Sequence, residues 1–326
     1  MRFAVRRGIF YLLTAWAAVT INFVIPRLMP GDPVAALLAK SQGRLDSSAE
    51  HAIRVLFGLD VESSIWQQYV DYWGLLLRGD LGVSFMTFPT PVLDVIRQSL
   101  PWTIGLVGIA TVISFIIGTL IGTAIGWRRG TWADGLLPVS TFFSSVPYFW
   151  LGLIAIAIFS VTLGWFPANG SYDRSMVPVL SWEFIGSVIR YGTLPALTVV
   201  ISSIAGWILG MRNMMVTVSS EDYVTVAQAK GLPERVVVFG YAARNAVLPQ
   251  VSSFALSLGF IVGGTLIMEM VFSYQGIGYV LYQAVANHDY PLMQGCFLVI
   301  TLSVLVANMF ADVVYATLDP RTRQEG

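Results

Sequence analysis

The chain has 326 residues, of which 56% are hydrophobic and only 12% are charged, with 19 basic and 19 acidic side chains. Because average soluble domains have about 25% charged residues, a chain this apolar is expected to lie largely in lipid. The balanced charge argues against a nucleic-acid-binding protein, which would need a basic face. A single cysteine, Cys296, excludes an intrachain disulfide and a cysteine metal cluster.

Six apolar segments are long enough to cross a bilayer, which requires roughly 20 apolar residues in a helix. Lipid offers no partner for free backbone N–H and C=O groups, so we predict that all six are helices in an all-α polytopic membrane protein. Pro138 and Pro147 predict a tilt or a kink in the third segment. The predicted spans are Gly8–Met29, Thr103–Trp127, Leu136–Phe166, Leu194–Gly210, Leu248–Val271 and Leu292–Tyr315.

The first segment, MRFAVRRGIFYLLTAWAAV, has the basic start and apolar middle of a cleavable signal peptide. Its apolar run continues far enough to span a bilayer, which favours a retained helix. With the N-terminus in the cytoplasm, the short outer loops hold only Arg174 and Arg190, and most other loop arginines collect inside. The long outer segment carries Arg44, Arg54 and Arg78, but long translocated segments largely escape this rule. Both termini are therefore predicted to be cytoplasmic. The chain then divides into an N-terminal segment with the first span (1–29), an extracytoplasmic lobe (30–102) and a five-helix core (103–326) containing a cytoplasmic loop (211–247).

Small residues predict where the helices pack most closely. Gly118, Gly122 and Gly126 recur every four residues on one face of the second span, and Gly259 and Gly263 do so in the fifth. Between helices in lipid, glycine allows backbones to approach and gain van der Waals contact. Both rows are therefore predicted to be packing faces.

Two carboxylates, Glu269 and Asp312, lie inside the predicted spans. Each lies within about two turns of a span end, where we expect it to reach interfacial water and to have a structural or interfacial role. A proton-coupled secondary transporter usually has carboxylates or histidines near mid-membrane. This pattern therefore disfavours that class.

The sequence contains no recognisable catalytic motif. Its only lysines, Lys40 and Lys230, do not follow a glycine, so a Walker A phosphate loop is absent. Its only histidines, His51 and His288, fall in predicted outer loops, which excludes an HExxH zinc helix. A GxSxG elbow is also absent. We predict no metal or cofactor in this chain, and a membrane enzyme remains an alternative without a motif to support it.

A more polar stretch, DYVTVAQAKGLPERVVVFGYAARNAVLP (222–249), separates the fourth and fifth spans. Ser219 or Ser220 is the expected N-cap of a short helix, Gly231 offers a left-handed stop, and Pro233 can begin a second helix. Two short helices held at a fixed angle would form a knob suited to a partner's groove. The alternative is an ordinary cytoplasmic loop with helical content.

This stretch resembles the EAA-type cytoplasmic loop of permease subunits in binding-protein-dependent ABC importers, in particular the dipeptide/oligopeptide/nickel branch. Where the general motif has Glu-Ala-Ala, this chain has Thr225, Val226 and Ala227. The resemblance covers nearly the whole chain, in the order and spacing of the first of two permeases. Its other motifs are MPGDP (29–33), FGLD (57–60), RGDLGVS (78–84), LPWTIGL (100–106), SVPYF (145–149), LGWFPANG (163–170), MEMVFSYQGIG (268–278), DYP (289–291) and LDPRTR (318–323).

The resemblance implies a type I ABC importer permease fold with six transmembrane helices in the bacterial or archaeal cytoplasmic (inner) membrane. It implies a second permease as heterodimer partner, two ATPase subunits that bind ATP and Mg, and an extracytoplasmic solute-binding protein. The implied cargo is di- or oligopeptides, with oligosaccharides, nickel and glutathione as alternatives. The residues implied to form the ATPase-coupling helix and its turn are Ala227, Ala229, Lys230, Gly231, Leu232 and Pro233.

Overall fold

The computed structural model describes residues 2–28, 64–131, 135–259, 261–263 and 265–318, and within these ranges the chain has helices and no β-strand. Two segments, Ile156–Thr162 and Val237–Ala243, are π-helical. The α-helices are α1 (Arg2–Leu28), α2 (Ile65–Leu77), α3 (Val92–Trp127), α4 (Leu136–Ser145), α5 (Tyr148–Ala155), α6 (Trp182–Val218), α7 (Asp222–Ala229), α8 (Glu234–Val236), α9 (Arg244–Ala246), α10 (Leu248–Gly259), α11 (Leu266–Val271), α12 (Ile277–Ala286) and α13 (Tyr290–Leu318).

Helices α3 and α6 form the central pair of the bundle and run parallel to each other. The glycines predicted to form a packing face of the second span lie in this interface. A Cβ added at Gly118 would lie 2.5 Å from the Cβ of Trp207, and one at Gly126 would lie 2.6 Å from that of Met215. Contacts this short do not occur between real Cβ atoms, so the observed approach depends on glycine.

Helix α13 packs against both α10 and α1, and it runs antiparallel to α10. A Cβ at Gly259 would collide with Ala307, and one at Gly263 would lie 3.2 Å from Ile300 Cγ2. These two glycines are the ones predicted to pack in the fifth span. On the other side of α13, the Asn22 side chain of α1 donates to the Gln294 carbonyl at 2.8 Å.

The third predicted span is sharply bent. Helices α4 and α5, with its π-helical continuation, meet at an angle of 95°. Pro147 precedes the first residue of α5, and Pro138 lies in the first turn of α4. A proline removes a backbone donor and disfavours helix at the preceding residue, which explains the break at Pro147. The predicted kink is confirmed.

Four helices of the described chain are long and apolar enough to cross a membrane, or five if the bent pair counts as one span. The fifth predicted span is not a continuous helix, because α10 ends at Gly259 and α11 begins only at Leu266. Residues 261–263 form a turn between them. The prediction of one uninterrupted helix over Leu248–Val271 was wrong. The residues around the turn are uniformly apolar, so hydropathy does not reveal that the helix ends.

Two helices extend beyond the spans predicted from hydropathy. Helix α6 has 37 residues and contains the whole fourth span, because polar residues at both ends lower its hydropathy without ending the helix. Helix α3 begins at Val92, so residues 92–102, assigned above to the extracytoplasmic lobe, continue the helix of the second span. The motifs MPGDP and FGLD, His51, Lys40 and all but the first residue of LDPRTR lie outside the described residues.

Candidate functional site

Residues 222–246, here called the insert, connect α6 to α10 at one end of the bundle. Helix α7 is followed by a corner at Gly231, whose φ is +69°, and Pro233 immediately precedes α8. This φ favours glycine, because other L-residues lose about 1–2 kcal/mol in the left-handed region. The predicted glycine stop and proline-initiated second helix are therefore confirmed.

The expected N-cap of α7 was wrong. Glu221 occupies that position and its side chain makes no capping hydrogen bond. The hydroxyls of Ser219 and Ser220 instead donate back to the carbonyls of Val216 and Thr217, at 3.0 and 2.8 Å. Both serines thus satisfy free carbonyls at the end of α6, which competes with capping of the next helix.

The insert rests on a buried apolar cluster. Val224 and Ala227 of α7 are 0% and 2% exposed, and they pack in one cluster with Val237 of the insert and with Met211 and Met215 of α6. Full burial of a Val or Met side chain stabilises a fold by about 1.5–3 kcal/mol. The insert is therefore a fixed projection from α6.

The six residues implied to form the coupling helix and its turn lie in one continuous segment but on two faces. Ala227 is buried in the cluster, and Leu232 is half-buried against it. Only the remaining four residues are exposed, namely Ala229, Lys230, Gly231 and Pro233. The structure thus places Ala227 at the base of the insert and the other residues of the turn at its surface.

The surface of the insert also has apolar side chains that the sequence analysis did not single out. Tyr223 and Val226 of α7 are 38% and 51% exposed, and Val236 and Phe239 beyond the corner are 45% and 58% exposed. Tyr223 and Val226 are spaced three residues apart in one α-helix, which places them on one helix face. Apolar residues spaced three apart in an otherwise polar stretch are the sequence pattern from which these surface residues could have been predicted.

Three consecutive side chains at the end of α3 hold the insert. Trp127 Nε1 donates to Glu234 Oε1 at 3.0 Å, and Arg128 Nη2 lies 3.7 Å from the same oxygen. Arg129 Nη2 donates to Ser219 Oγ, where α6 ends, at 2.7 Å. These contacts connect α3, α6 and α8. In the sequence, Arg128 and Arg129 indicate only the orientation of the chain, and no local pattern connects them to the insert.

At the opposite end of α3, here called the carboxylate end, Glu269 is 0% exposed. Its Oε1 accepts from Thr103 Oγ1 at 2.7 Å, and its Oε2 accepts from the backbone N–H groups of Gly278 (2.8 Å) and Tyr279 (3.1 Å). Thr103 Oγ1 in turn accepts from the N–H of Ile277 at 2.8 Å. These N–H groups belong to the first turn of α12 and therefore have no acceptor within that helix. A carboxylate at this helix start supplies the missing acceptor and interacts favourably with the helix dipole.

This geometry corrects one prediction about Glu269. Its carboxylate does not reach interfacial water, because protein donors surround it completely. Its expected structural role agrees with the contacts, since it fastens α12 to α3. Thr103 is 166 positions away in sequence, so no local pattern pointed to this pairing.

A second buried carboxylate, Asp289 of the DYP motif, lies at the same end. Its Oδ2 accepts from Ser84 Oγ at 2.6 Å and from the Met86 N–H at 2.9 Å. Its Oδ1 accepts from the Leu292 N–H in the first turn of α13 at 3.1 Å. Asp289 therefore fastens the loop that precedes α3 to the start of α13.

A surface cavity of about 500 Å³ opens beside the start of α6. Its lining includes Asp173, Arg190 and Tyr191. The backbone N–H and the hydroxyl of Ser175 both donate to Asp173 Oδ1, and they lower the pKa of that exposed carboxyl. Trp102 stacks on Tyr172 at 5.6 Å, which places this cavity at the carboxylate end.

The described parts of the chain contain no group of three or more His, Cys, Asp or Glu side chains that could hold a metal ion. Both carboxylate oxygens of Glu269 and of Asp289 already accept hydrogen bonds from protein donors. The two buried acids are thus arranged to join helices and loops. The apolar side chains on the surface of the insert, by contrast, are exposed to solvent.

Comparison with known proteins gives one consistent result. Residues 118–324 match the family described as "binding-protein-dependent transport system inner membrane component". The chain is 33% identical to the di/tripeptide transport system permease protein DppB of Pseudomonas aeruginosa, over 100% of this chain and 99% of the relative. It is 31% identical to the oligopeptide transport system permease protein AppB of Bacillus subtilis, over 98% of both. The chain therefore belongs to the family of binding-protein-dependent transport system inner membrane components.

Proposed function

We propose that this chain is the first of two permease subunits in an ATP-driven importer of di- or oligopeptides. The observation that carries the proposal is the insert, a fixed projection with an apolar face that nothing in the described chain covers. Such a face suits a groove on another protein, and apolar side chains rimmed by polar ones are typical of docking surfaces. The partner that we assign to it is an ATPase subunit.

The directions of the helices agree best with six crossings of the membrane by this chain and with both termini in the cytoplasm. The parallel α3 and α6 require the chain to return once between them, and the bent α4–α5 pair can provide that crossing. The antiparallel packing of α10 on α13 lets the broken fifth segment cross once more. Arg128 and Arg129 lie at the insert end, and the positive-inside rule places this end in the cytoplasm. The carboxylate end then faces a solute-binding protein.

In this arrangement the insert would transmit force to the spans. Closure of two ATPase subunits on ATP and Mg would draw the inserts of both permeases together. The buried cluster joins the insert to α6, while Trp127 and Arg128 join it to α3 through Glu234. Movement of the insert would thus carry the tightly packed α3–α6 pair as one rigid body and open the path on alternate sides.

The cargo is proposed from the relatives, whose names specify di/tripeptides and oligopeptides. Uptake of labelled peptides by the complete importer tests this assignment directly. Competition by unlabelled di- and oligopeptides is the expected result. Uptake of nickel, glutathione or an oligosaccharide without competition by peptides would contradict it.

A substitution series at Gly231 tests the coupling role. Gly231→Val requires a β-branched residue at a φ of +69°, Gly231→Asp is intermediate, and Gly231→Asn is the mild variant because asparagine tolerates this region best. No heavy atom lies within 4 Å of the added Cβ, so the series changes backbone preference without a steric clash. We expect peptide uptake to fall in the order Asn, Asp, Val, with Asp already abolishing most of it.

The controls for this series separate coupling from folding. All three variants should reach the membrane in normal amounts, because the corner lies outside the bundle core. Gly206→Ala, on α6 with no heavy atom within 4 Å of the added Cβ, should transport normally. Near-normal uptake by Gly231→Val, or failure of the Gly231 variants to reach the membrane, would contradict the coupling role.

A separate ATPase is the other testable part of the proposal. Because the chain has no Walker A loop, the purified chain should hydrolyse no ATP, and hydrolysis should appear when ATPase subunits are added. Measurement of phosphate release from both preparations checks this. Turnover by the chain alone, in a preparation free of contaminants, would overturn it.

A further inference from the structure

Helix α2, outside the predicted spans, packs on the second half of α1 through long side chains. Tyr69 Oη and Thr20 Oγ1 are 2.7 Å apart, and Asn22 Nδ2 donates to Tyr72 Oη at 3.2 Å. The Phe23 ring lies between the two tyrosines, with centroid distances of 5.2 and 5.5 Å. No residue of α2 is buried. One face of this helix therefore contacts α1, and the side chains on its other faces are partly or fully exposed.

The exposed faces of α2 divide into an apolar and a polar side. Trp66, Val70, Trp73 and Leu77 fall within an arc of about 60° at 3.6 residues per turn, and we call them the apolar stripe. Trp66, Val70 and Leu77 are 72%, 51% and 81% exposed, and Trp73 is half-buried. The neighbouring arc, away from α1, carries the exposed Gln67 and Asp71 instead.

The position of α2 along α1 sets its depth. Thr20 and Asn22 lie inside the apolar span Arg7–Leu28, six to eight residues before its end, or about 9–12 Å at 1.5 Å per residue. At this level α1 itself exposes Ile21 (58%) and Val24 (39%). The apolar stripe thus lies beside a helix surface that is itself suited to lipid.

We infer that α2 lies in the membrane interface at the carboxylate end, with its apolar stripe in the acyl-chain boundary and Gln67 and Asp71 toward water. Amphipathic interfacial helices bury their apolar face roughly 5–10 Å into this boundary, which agrees with the depth set by Thr20 and Asn22. Tryptophan and tyrosine are enriched at that level, and the stripe contains two tryptophans. The partner of this surface is therefore lipid.

Nitroxide spin labels at single cysteines test the assignment, in the full chain reconstituted into bilayers together with any subunits that copurify. In a Cys296→Ala background, labels are placed at Val70 and Leu77 on the stripe and at the matched control positions Gln67 and Asp71. Power-saturation measurements then compare collisions with oxygen, which concentrates in lipid, and with a water-soluble nickel chelate.

We expect several-fold higher oxygen-to-nickel accessibility ratios at Val70 and Leu77 than at Gln67 and Asp71. Equal nickel accessibility at all four positions would place the stripe in water and overturn the inference. Protection of Val70 and Leu77 from both reagents would mean that protein covers the stripe, and would overturn it as well. None of these outcomes depends on whether the chain transports peptides.

Discussion

The two ends of the bundle differ in which residues form their left-handed corners. Glycines adopt this conformation at both ends, as at Gly82 and Gly170 of the carboxylate end, but in the described chain non-glycine residues do so only at the carboxylate end. At the insert end the left-handed corner falls on Gly231, which adopts it without strain. At the carboxylate end, two left-handed corners fall on Ser273 (φ +46°) and His288 (φ +55°), the only such non-glycine residues in the described chain. They flank α12, and a buried carboxylate lies within four residues of each along the chain.

This difference shows how each end is stabilised. A left-handed non-glycine residue costs about 1–2 kcal/mol and persists only where its surroundings hold it. Glu269 and Asp289 supply such surroundings through six hydrogen bonds from Thr103, Gly278, Tyr279, Ser84, Met86 and Leu292. The insert is held by its apolar base and by the contacts of Trp127 and Arg128 with Glu234, and its apolar surface residues remain exposed. Hydrogen bonds within the chain thus hold the carboxylate end together, whereas the insert end is the one for which a partner is proposed above.

The largest effect is expected from Glu269→Ala. Its removal leaves the Thr103 hydroxyl and the N–H groups of Gly278 and Tyr279 buried without their acceptor, which costs roughly 3 kcal/mol or more. Thermal unfolding of the purified chain in detergent should show a large loss of stability. Glu183→Ala, which removes an exposed first-turn glutamate of α6, is the control, and an equal loss in both variants would contradict the account of the carboxylate end.

Next in size is Gly122→Ala in the α3–α6 interface. The new Cβ would lie 2.6 Å from the Ile208 carbonyl oxygen and 2.8 Å from Met211 Cβ, and such overpacking costs about 1–3 kcal/mol. Gly105→Ala on the same helix has no heavy atom within 4 Å of its Cβ and should be neutral or stabilising. Equal melting temperatures for the two variants would show that α3 and α6 are not closely packed at Gly122.

A smaller and more local effect is expected from Asp289→Asn. The amide keeps one acceptor oxygen, so the loss should be about 1–2 kcal/mol. Because Ser84 and Met86 bond to the same oxygen, hydrogen exchange should rise in the loop that precedes α3 more than in the insert. Faster exchange spread evenly over the chain would indicate that Asp289 does not hold this loop specifically.

The smallest effect on stability is expected from Glu234→Ala. Its ion pair with Arg128 is exposed, and pairs of this kind contribute about 0–1 kcal/mol. Transport should suffer more than stability, because the variant disconnects the insert from Trp127 at the end of α3. Glu234→Gln keeps an acceptor for the Trp127 N–H and should restore part of the uptake. Unchanged uptake in Glu234→Ala would show that this connection does not transmit force.

Local patterns in the sequence predicted those features that depend on neighbouring residues. Hydropathy located α1 and α13, Pro147 predicted the bend of the third span, and the Gly-Leu-Pro order predicted the corner at Gly231. Family resemblance identified the insert, although it did not show that Ala227 points inward.

Features that depend on distant partners could not be predicted in this way. The acceptor role of Glu269 requires Thr103 and α12, and the link from Trp127 to Glu234 joins residues 107 positions apart. The break in the fifth span was missed for another reason. Apolar residues continue through it, so hydropathy is the same whether the helix continues or turns.

Photocrosslinking from the insert shows directly whether it docks on an ATPase subunit. A photoreactive amino acid is placed at Val226 or Phe239, on the exposed face of the insert, and at Leu180, an exposed apolar position near the carboxylate end. We expect adducts with a nucleotide-hydrolysing subunit from Val226 and Phe239 in intact cells, and none from Leu180. If neither insert position yields such an adduct while the importer is assembled and active, the insert is not the docking element.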